Sequence, residues 1–147
     1  MADKIVATNR QARYNYTILE SMEAGIALTG TEVKSLRAGK ATLSDSFASA
    51  EGNELFLHHM HIAPYEFGNI ANPDPMRVRK LLLHRSQIRK LSADVATKHL
   101  AIIPLKLYIK NGLIKVEIAL AQGKKTYDKR ETIKKREIDR EIRRRTA

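Results

Sequence analysis

The sequence has no cysteine. That excludes disulfides, thiolate metal sites and a cysteine nucleophile, and it suits a reducing compartment. Long apolar runs are missing too, so no segment approaches a membrane-spanning helix. The opening MADKIVATNRQAR lacks the apolar stretch of a secretory signal. The expectation is a cytoplasmic protein with no membrane partner. Catalytic signatures are equally scarce: there is no phosphate loop, no GxSxG, no HExxH and no dinucleotide fingerprint. Asp45, Glu66 and Asp74 are the carboxylates a metal-dependent nuclease would have to use, and they stand singly in the sequence. The expectation is therefore a protein without catalysis, cofactor or metal. Positive charge, by contrast, is abundant. The 147 residues carry 27 Lys/Arg against 16 Asp/Glu, a formal net charge of +11. Residues 123–147 alone hold 11 basic and 5 acidic side chains. Such a balance points to a polyanion, most often nucleic acid.

The clearest local pattern is LAIIPLKLYIKNGLIKVEIALAQG, residues 100–123. Apolar and polar residues alternate on both sides of Asn111-Gly112, the pattern of two half-buried strands. Asn-Gly supplies the two residues that accept φ > 0 in a two-residue hairpin turn. Centring the turn there predicts Ile109 opposite Ile114, Leu107 opposite Val116 and Leu105 opposite Ile118. Lys106 then faces Glu117 on the other side, a favourable cross-strand pair.

Earlier in the chain, residues 1–13 read as polar, with Asn9, Arg10 and Arg13 just before Tyr14 and Tyr16. Basic side chains beside aromatic rings offer charge for phosphates and a flat face for a base. Tyr16 reads as core; Tyr14 serves equally as core or as an exposed stacking face. The even positions from Tyr16 to Leu28 form a strand pattern with one exception, Glu20. Thr29 followed by Glu32 is a capping-box signature and predicts a short helix over about residues 30–38. Gly39 suits the position just beyond its end. Glu32 is thus a cap, and its carboxylate could also accept from base or ribose donors; on this reading Glu32→Gln keeps the capping bond and leaves stability nearly unchanged. Lys34 and Arg37 lie three apart on the same helix and join the candidate nucleic-acid-binding set.

Residues 42–50 and 54–63 read as strands around Glu51-Gly52-Asn53. The second carries His58, His59 and His61, which on a strand read more simply as exposed or core-edge histidines than as metal ligands. Residues 64–76 form a loop. A short strand, Leu81-Leu82-Leu83, follows a basic lead-in of Arg77, Arg79 and Lys80. Residues 85–99 read as two short helical pieces, with Ser92 capping the second. This order predicts a mainly β protein: an antiparallel barrel of about six strands, of the oligonucleotide-binding type, with two or three short helices, because closure removes exposed edges. The barrel domain spans residues 1–122, and residues 123–147 form a basic C-terminal tail. The tail has too few apolar residues to pack on the barrel. Its acid-first i, i+4 pairs, Glu131–Lys135, Asp139–Arg143 and Glu141–Arg145, predict a segment disordered when free and helical on a polyanion.

Several stretches resemble the bacterial SsrA-binding (small protein B) family: NRQARYNY at 9–16, AGIALTGTEVKSLRAGK at 24–40, DPMRVRKLLLH at 74–84, PLKLYIKNG at 104–112 and GKKTYDKR at 123–130. They run in order through nearly the whole chain, and together they are specific. The resemblance implies binding to the tRNA-like domain of transfer-messenger RNA, the RNA that rescues stalled ribosomes. It implies delivery with elongation factor Tu to the small ribosomal subunit, where the tail enters the decoding centre and the mRNA channel. By position, Asn9, Arg10, Arg13 and Glu32 match the family's RNA-binding residues. Lys124, Lys125, Asp128, Lys129 and Arg130 match its functional tail motif, with Tyr127 among them able to stack. Tyr14 stands where the family pattern has histidine; it can stack but cannot become cationic. The other class of function compatible with the sequence is a general single-strand-binding barrel, which would not need the tail.

Overall fold

A computed structural model describes residues 4–67 and 72–124. Of the tail candidates it describes Lys124; Lys125, Tyr127, Asp128, Lys129 and Arg130 lie outside the described residues, as does the expected helix beyond them. The chain order is β1 (Lys4–Thr8), α1 (Ala12–Asn15), β2 (Tyr16–Ile26), α2 (Gly30–Arg37), β3 (Ala41–Thr42), β4 (Phe47–Glu51), β5 (Glu54–His58), β6 (His61–Ile62), β7 (Arg79–Leu82), α3 (Arg85–Lys98), β8 (Ala101–Lys110) and β9 (Leu113–Gly123). Strands β8, β4, β5, β7, β2 and β9 pair in turn, and β9 returns to β8. This is the closed ring of six antiparallel strands that the sequence predicts. β1 is an addition: it pairs outside the ring along Lys106–Ile109 of β8. Its five residues, KIVAT, are exposed or half-buried and carry too little apolar pattern to be read as a strand.

The β8–β9 hairpin turns at Asn111 (φ 51°) and Gly112 (φ 78°), both left-handed as the dipeptide requires. Ile109 faces Ile114, Leu107 faces Val116, and Lys106 faces Glu117 with a 3.4 Å ion pair. The predicted register fails one step further on. Leu105 is a bulge, and Pro104 rather than Leu105 opposes Ile118. A second bulge, at Leu19 of β2, faces the opposite edge of β9. It explains the Glu20 exception. Tyr16 and Ile18 pack on the outer side of the sheet, whereas Met22, Ala24 and Ile26 face the barrel interior. An inserted residue reverses which face the following side chains meet.

The interior is filled by Leu36, Leu43, Leu55, Leu57, Leu81, Leu107, Val116 and Ile118, among others. α3 closes one side with Ile88 and Leu91 buried and Val95 partly so. These lie on a single stripe, so the helix is continuous through Ser92, against the expectation of two pieces. It ends at His99, which adopts φ 51°. The strands expected over 42–50 and 54–63 are each interrupted. Asp45 (φ 62°) and His59 (φ 65°) take left-handed conformations that no strand contains, and the flanking residues pair separately as β3 and β6.

Candidate nucleic-acid interface

Residues 9–15 lie on the outside of the barrel, held by a small core of their own. Ala12 of α1 is buried with Ile103 and Leu105 of β8 and Ala119 and Ala121 of β9, and Tyr16 and Ile18 flank them. The two bulges make this second core possible, because they turn Leu105 and Ile18 outward. Asn9 fastens the start of the segment: its amide donates to the Leu105 carbonyl at 2.8 Å, and its side-chain amide donates to the Pro104 carbonyl at 3.0 Å. The end is fastened by the Lys124 amide, which donates to the Asn15 carbonyl at 3.0 Å. Between these two points Arg10, Arg13 and Tyr14 are exposed, Tyr14 at 40%. A rigid turn thus presents two guanidinium groups and one ring to solvent. Arg10 and Arg13 rim a shallow pocket with Lys106 and Glu117. Tyr16 is half-buried against the outer core, as expected of a packing residue.

The remaining candidates sit on α2. Thr29 and Glu32 form the predicted capping box: the Glu32 amide donates to Thr29 Oγ1 at 3.3 Å, and the Thr29 amide donates to Glu32 Oε1 at 3.0 Å. The helix runs from Gly30 to Arg37, and Gly39 beyond it has φ 75°. The carboxylate of Glu32 does more than cap. Its residue is 3% exposed, and it takes an ion pair from Arg77 Nη2 at 2.6 Å and another from Arg79 Nη2 at 2.6 Å. Arg79 is completely buried and also donates to the carbonyls of Met60 and Pro75. One carboxylate therefore ties α2 to the 75–79 segment and to the turn before β6. Arg77 keeps 32% of its side chain exposed, so the paired guanidinium still reaches the surface. On α2 Lys34 stands 5.2 Å over the Tyr65 ring, and Arg37 is exposed one turn on. The sequence reading missed Arg77 and Arg79 as partners of Glu32. A signal for Arg79 exists: it shares strand parity with the fully buried Leu81, and an arginine on a core-facing position requires a carboxylate.

Burial alone would raise the Glu32 carboxyl; the bonds from Arg77, the Thr29 amide and Arg79 outweigh it and hold it below its ordinary value of 4.5. A carboxyl lowered on folding stabilises the fold above its unfolded value, and that stability is lost as pH falls through the lowered one. The stability difference between the native chain and Glu32→Gln should accordingly be constant near neutrality and shrink below about pH 4.5. Urea titrations at pH 7, 5, 4 and 3 measure it; a difference unchanged at pH 3 would mean that the charge of Glu32 is not what stabilises the site.

His58 is half-buried, stacked on Phe47 with 5.0 Å between ring centroids, and hydrogen-bonded to Ser49 at 2.8 Å. His59 leaves the strand altogether. Among the described residues no helix is long and apolar enough to cross a membrane.

Residues 6–147 match the family model described as "SmpB protein". The chain belongs to the SmpB family. Among curated relatives, the SsrA-binding protein of Pelotomaculum thermopropionicum is 59% identical over 142 residues, covering 97% of this chain and 93% of that protein. That of Geobacter metallireducens is 54% identical over 142 residues, with the same two coverages. A solved structure described as "tmRNA-SmpB: a journey to the center of the bacterial ribosome" superposes with a TM-score of 0.68 at 55% identity, covering 81% of this chain and 84% of that one. The expected family thus agrees with the family model and the curated relatives, and the expected fold with the solved structure.

Proposed function

We propose that this chain is a non-enzymatic RNA-binding adaptor that binds the tRNA-like domain of transfer-messenger RNA and brings it to stalled ribosomes for trans-translation. The observation that carries the reading is near-full-length identity to SsrA-binding proteins, 59% over 142 residues in the case of Pelotomaculum. The geometry supports it. Asn9, Arg10, Arg13 and Tyr14 form one pinned, outward-facing turn, and Glu32 holds Arg77 against α2, the helix that carries Lys34 and Arg37. In this reading Glu32 contributes by holding Arg77 rather than by accepting from RNA, since both its oxygens are engaged. The partners are transfer-messenger RNA, the small ribosomal subunit and, on the family resemblance, elongation factor Tu in the delivery complex; the setting is the cytoplasm. The tail acts at the decoding centre, with Lys124, Lys125, Tyr127, Asp128, Lys129 and Arg130 making local stacking and charge-assisted contacts. The segment from Ile133 onward lies as a helix in the mRNA channel.

Reversing the charge of Arg10 and Arg13 tests the barrel side of this reading. The Arg10→Glu/Arg13→Glu chain should melt as the native chain does, because neither arginine is part of either core. Its affinity for the tRNA-like RNA should fall, and the log–log salt slope should flatten by about 0.9 for each duplex phosphate that is no longer neutralised. Unchanged affinity together with an unchanged slope would take both arginines out of the interface. Competition between the tRNA-like RNA and an unstructured strand of equal length separates this function from general single-strand binding.

A further inference from the structure

β4 meets β8 through a single pairing, Ala48 with Ile102, and beside it the surface opens into a cleft of about 780 Å³. Its walls are α1, the 45–50 segment, the C-terminal half of α3, residues 100–103 at the start of β8 and the end of β9. The volume is in the range of small-ligand sites. Phe47 lines it and is 40% exposed. The ring is held in place: it lies within 10° of parallel to His58, and the His59 ring is 5.3 Å away. Gln11, Asn15 and Asp45, whose side chains carry donors and acceptors, also line the cleft, as does the cationic residue Lys124.

We propose that this cleft receives one unpaired nucleotide of the bound RNA, its base stacked on Phe47 and its phosphate paired with Lys124. This rests on the reading of the chain as an RNA-binding adaptor, and it adds a specific base-binding site to it. Three observations combine. An exposed, backed aromatic ring is a stacking face that any base can use. Amide and carboxylate groups in a cleft suit the donors and acceptors of a base edge. The cleft also adjoins the basic turn, since Asn9 and Ala12 line both it and the pocket rimmed by Arg10 and Arg13. A strand whose backbone crosses those arginines therefore has the cleft within reach of its next nucleotide.

The test uses the full chain, the tRNA-like domain of transfer-messenger RNA, and adenosine 5′-monophosphate as a minimal probe. Phe47→Leu keeps an apolar side chain and removes the flat face; Phe47→Tyr keeps the face. The Leu variant should melt within a few degrees of the native chain yet bind the RNA roughly ten- to a hundredfold more weakly. The Tyr variant should bind within a few-fold of the native chain. In NMR titrations the nucleotide should move the amide signals of Phe47, Ser49 and Lys124 in the native chain and leave them in place in Phe47→Leu. Native-like RNA binding by Phe47→Leu overturns the inference alone, as does a nucleotide that moves none of the cleft signals. Removal of residues 125–147 shifting those signals in the absence of RNA also overturns it, by making the tail the occupant. A native chain that does not bind the RNA overturns the proposed function with it.

Discussion

Ending the chain after Lys124 is expected to leave a folded barrel that binds the tRNA-like RNA and supports no tagging on stalled ribosomes. The fold should survive because both cores, the hairpin and the nine strands of the described residues are complete by Gly123. Retaining Lys124 keeps its amide bond to Asn15, and with it the end of the basic turn. RNA affinity should drop in part, since residues 125–147 carry ten basic and five acidic side chains. On the proposed function tagging should vanish, because no tail would then be there to fill the decoding centre. A finer variant separates charge from shape. Ile138→Pro leaves every charge in place and opposes a helix by about 3 kcal/mol. It should bind RNA normally and fail in a tagging assay. Normal tagging by Ile138→Pro would show that the helix is dispensable; normal tagging by the truncated chain would end the ribosomal role of the tail.

Replacing Glu32 should produce the largest loss of stability among the candidate residues. Glu32→Leu leaves the buried Arg79 and the half-exposed Arg77 without a counter-charge, which should destabilise the fold by about 3–5 kcal/mol. Glu32→Gln should fall between the two, keeping the bond from the Thr29 amide and losing the charge. The sequence alone suggested a nearly neutral effect for this change; two arginines more than 40 residues away reverse that expectation. Adding Arg79→Met to Glu32→Leu should recover part of the loss, because an apolar pair of similar volume can replace a buried ion pair. Urea midpoints of the two single variants and the double variant measure the coupling. Strictly additive losses would mean that the two side chains stabilise the fold independently.

What was legible in the sequence follows the range of the interactions. The Asn111-Gly112 turn and the pairs out to Lys106–Glu117 depend on alternation within a dozen residues, and they appear as read. So does the capping box of Thr29 and Glu32. The bulge at Leu105 does not, because Ile102, Ile103, Pro104 and Leu105 are all buried. A run covered on both faces has no alternation from which a slip could be seen. Glu20 was the visible trace of the other bulge, an acid on an otherwise apolar parity, and its carboxylate reaches Lys90 on α3 at 3.4 Å. The candidate interface was half legible. Arg10, Arg13 and Tyr14 stand out locally, whereas the outer core that presents them is assembled from three strands and a four-residue helix. Phe47 carried no local signal, since its significance comes from His58 across the β4–β5 ladder.

The bond from the Lys124 amide to Asn15 also fixes a leash. Twenty-three residues follow Lys124. As a helix they span about 35 Å, and fully extended they span no more than about 80 Å. Both lengths are measured from the edge of the basic turn. On the proposed function, an RNA seated on Arg10 and Arg13 would travel with residues 125–147 held within that reach, and a tether of that length sets an effective concentration in the millimolar range. Once one of the two has docked on a common target, the other arrives without a second diffusional search. Lengthening the chain by inserting flexible residues between Lys124 and Lys125 would dilute that coupling while leaving the residues at either end as they are.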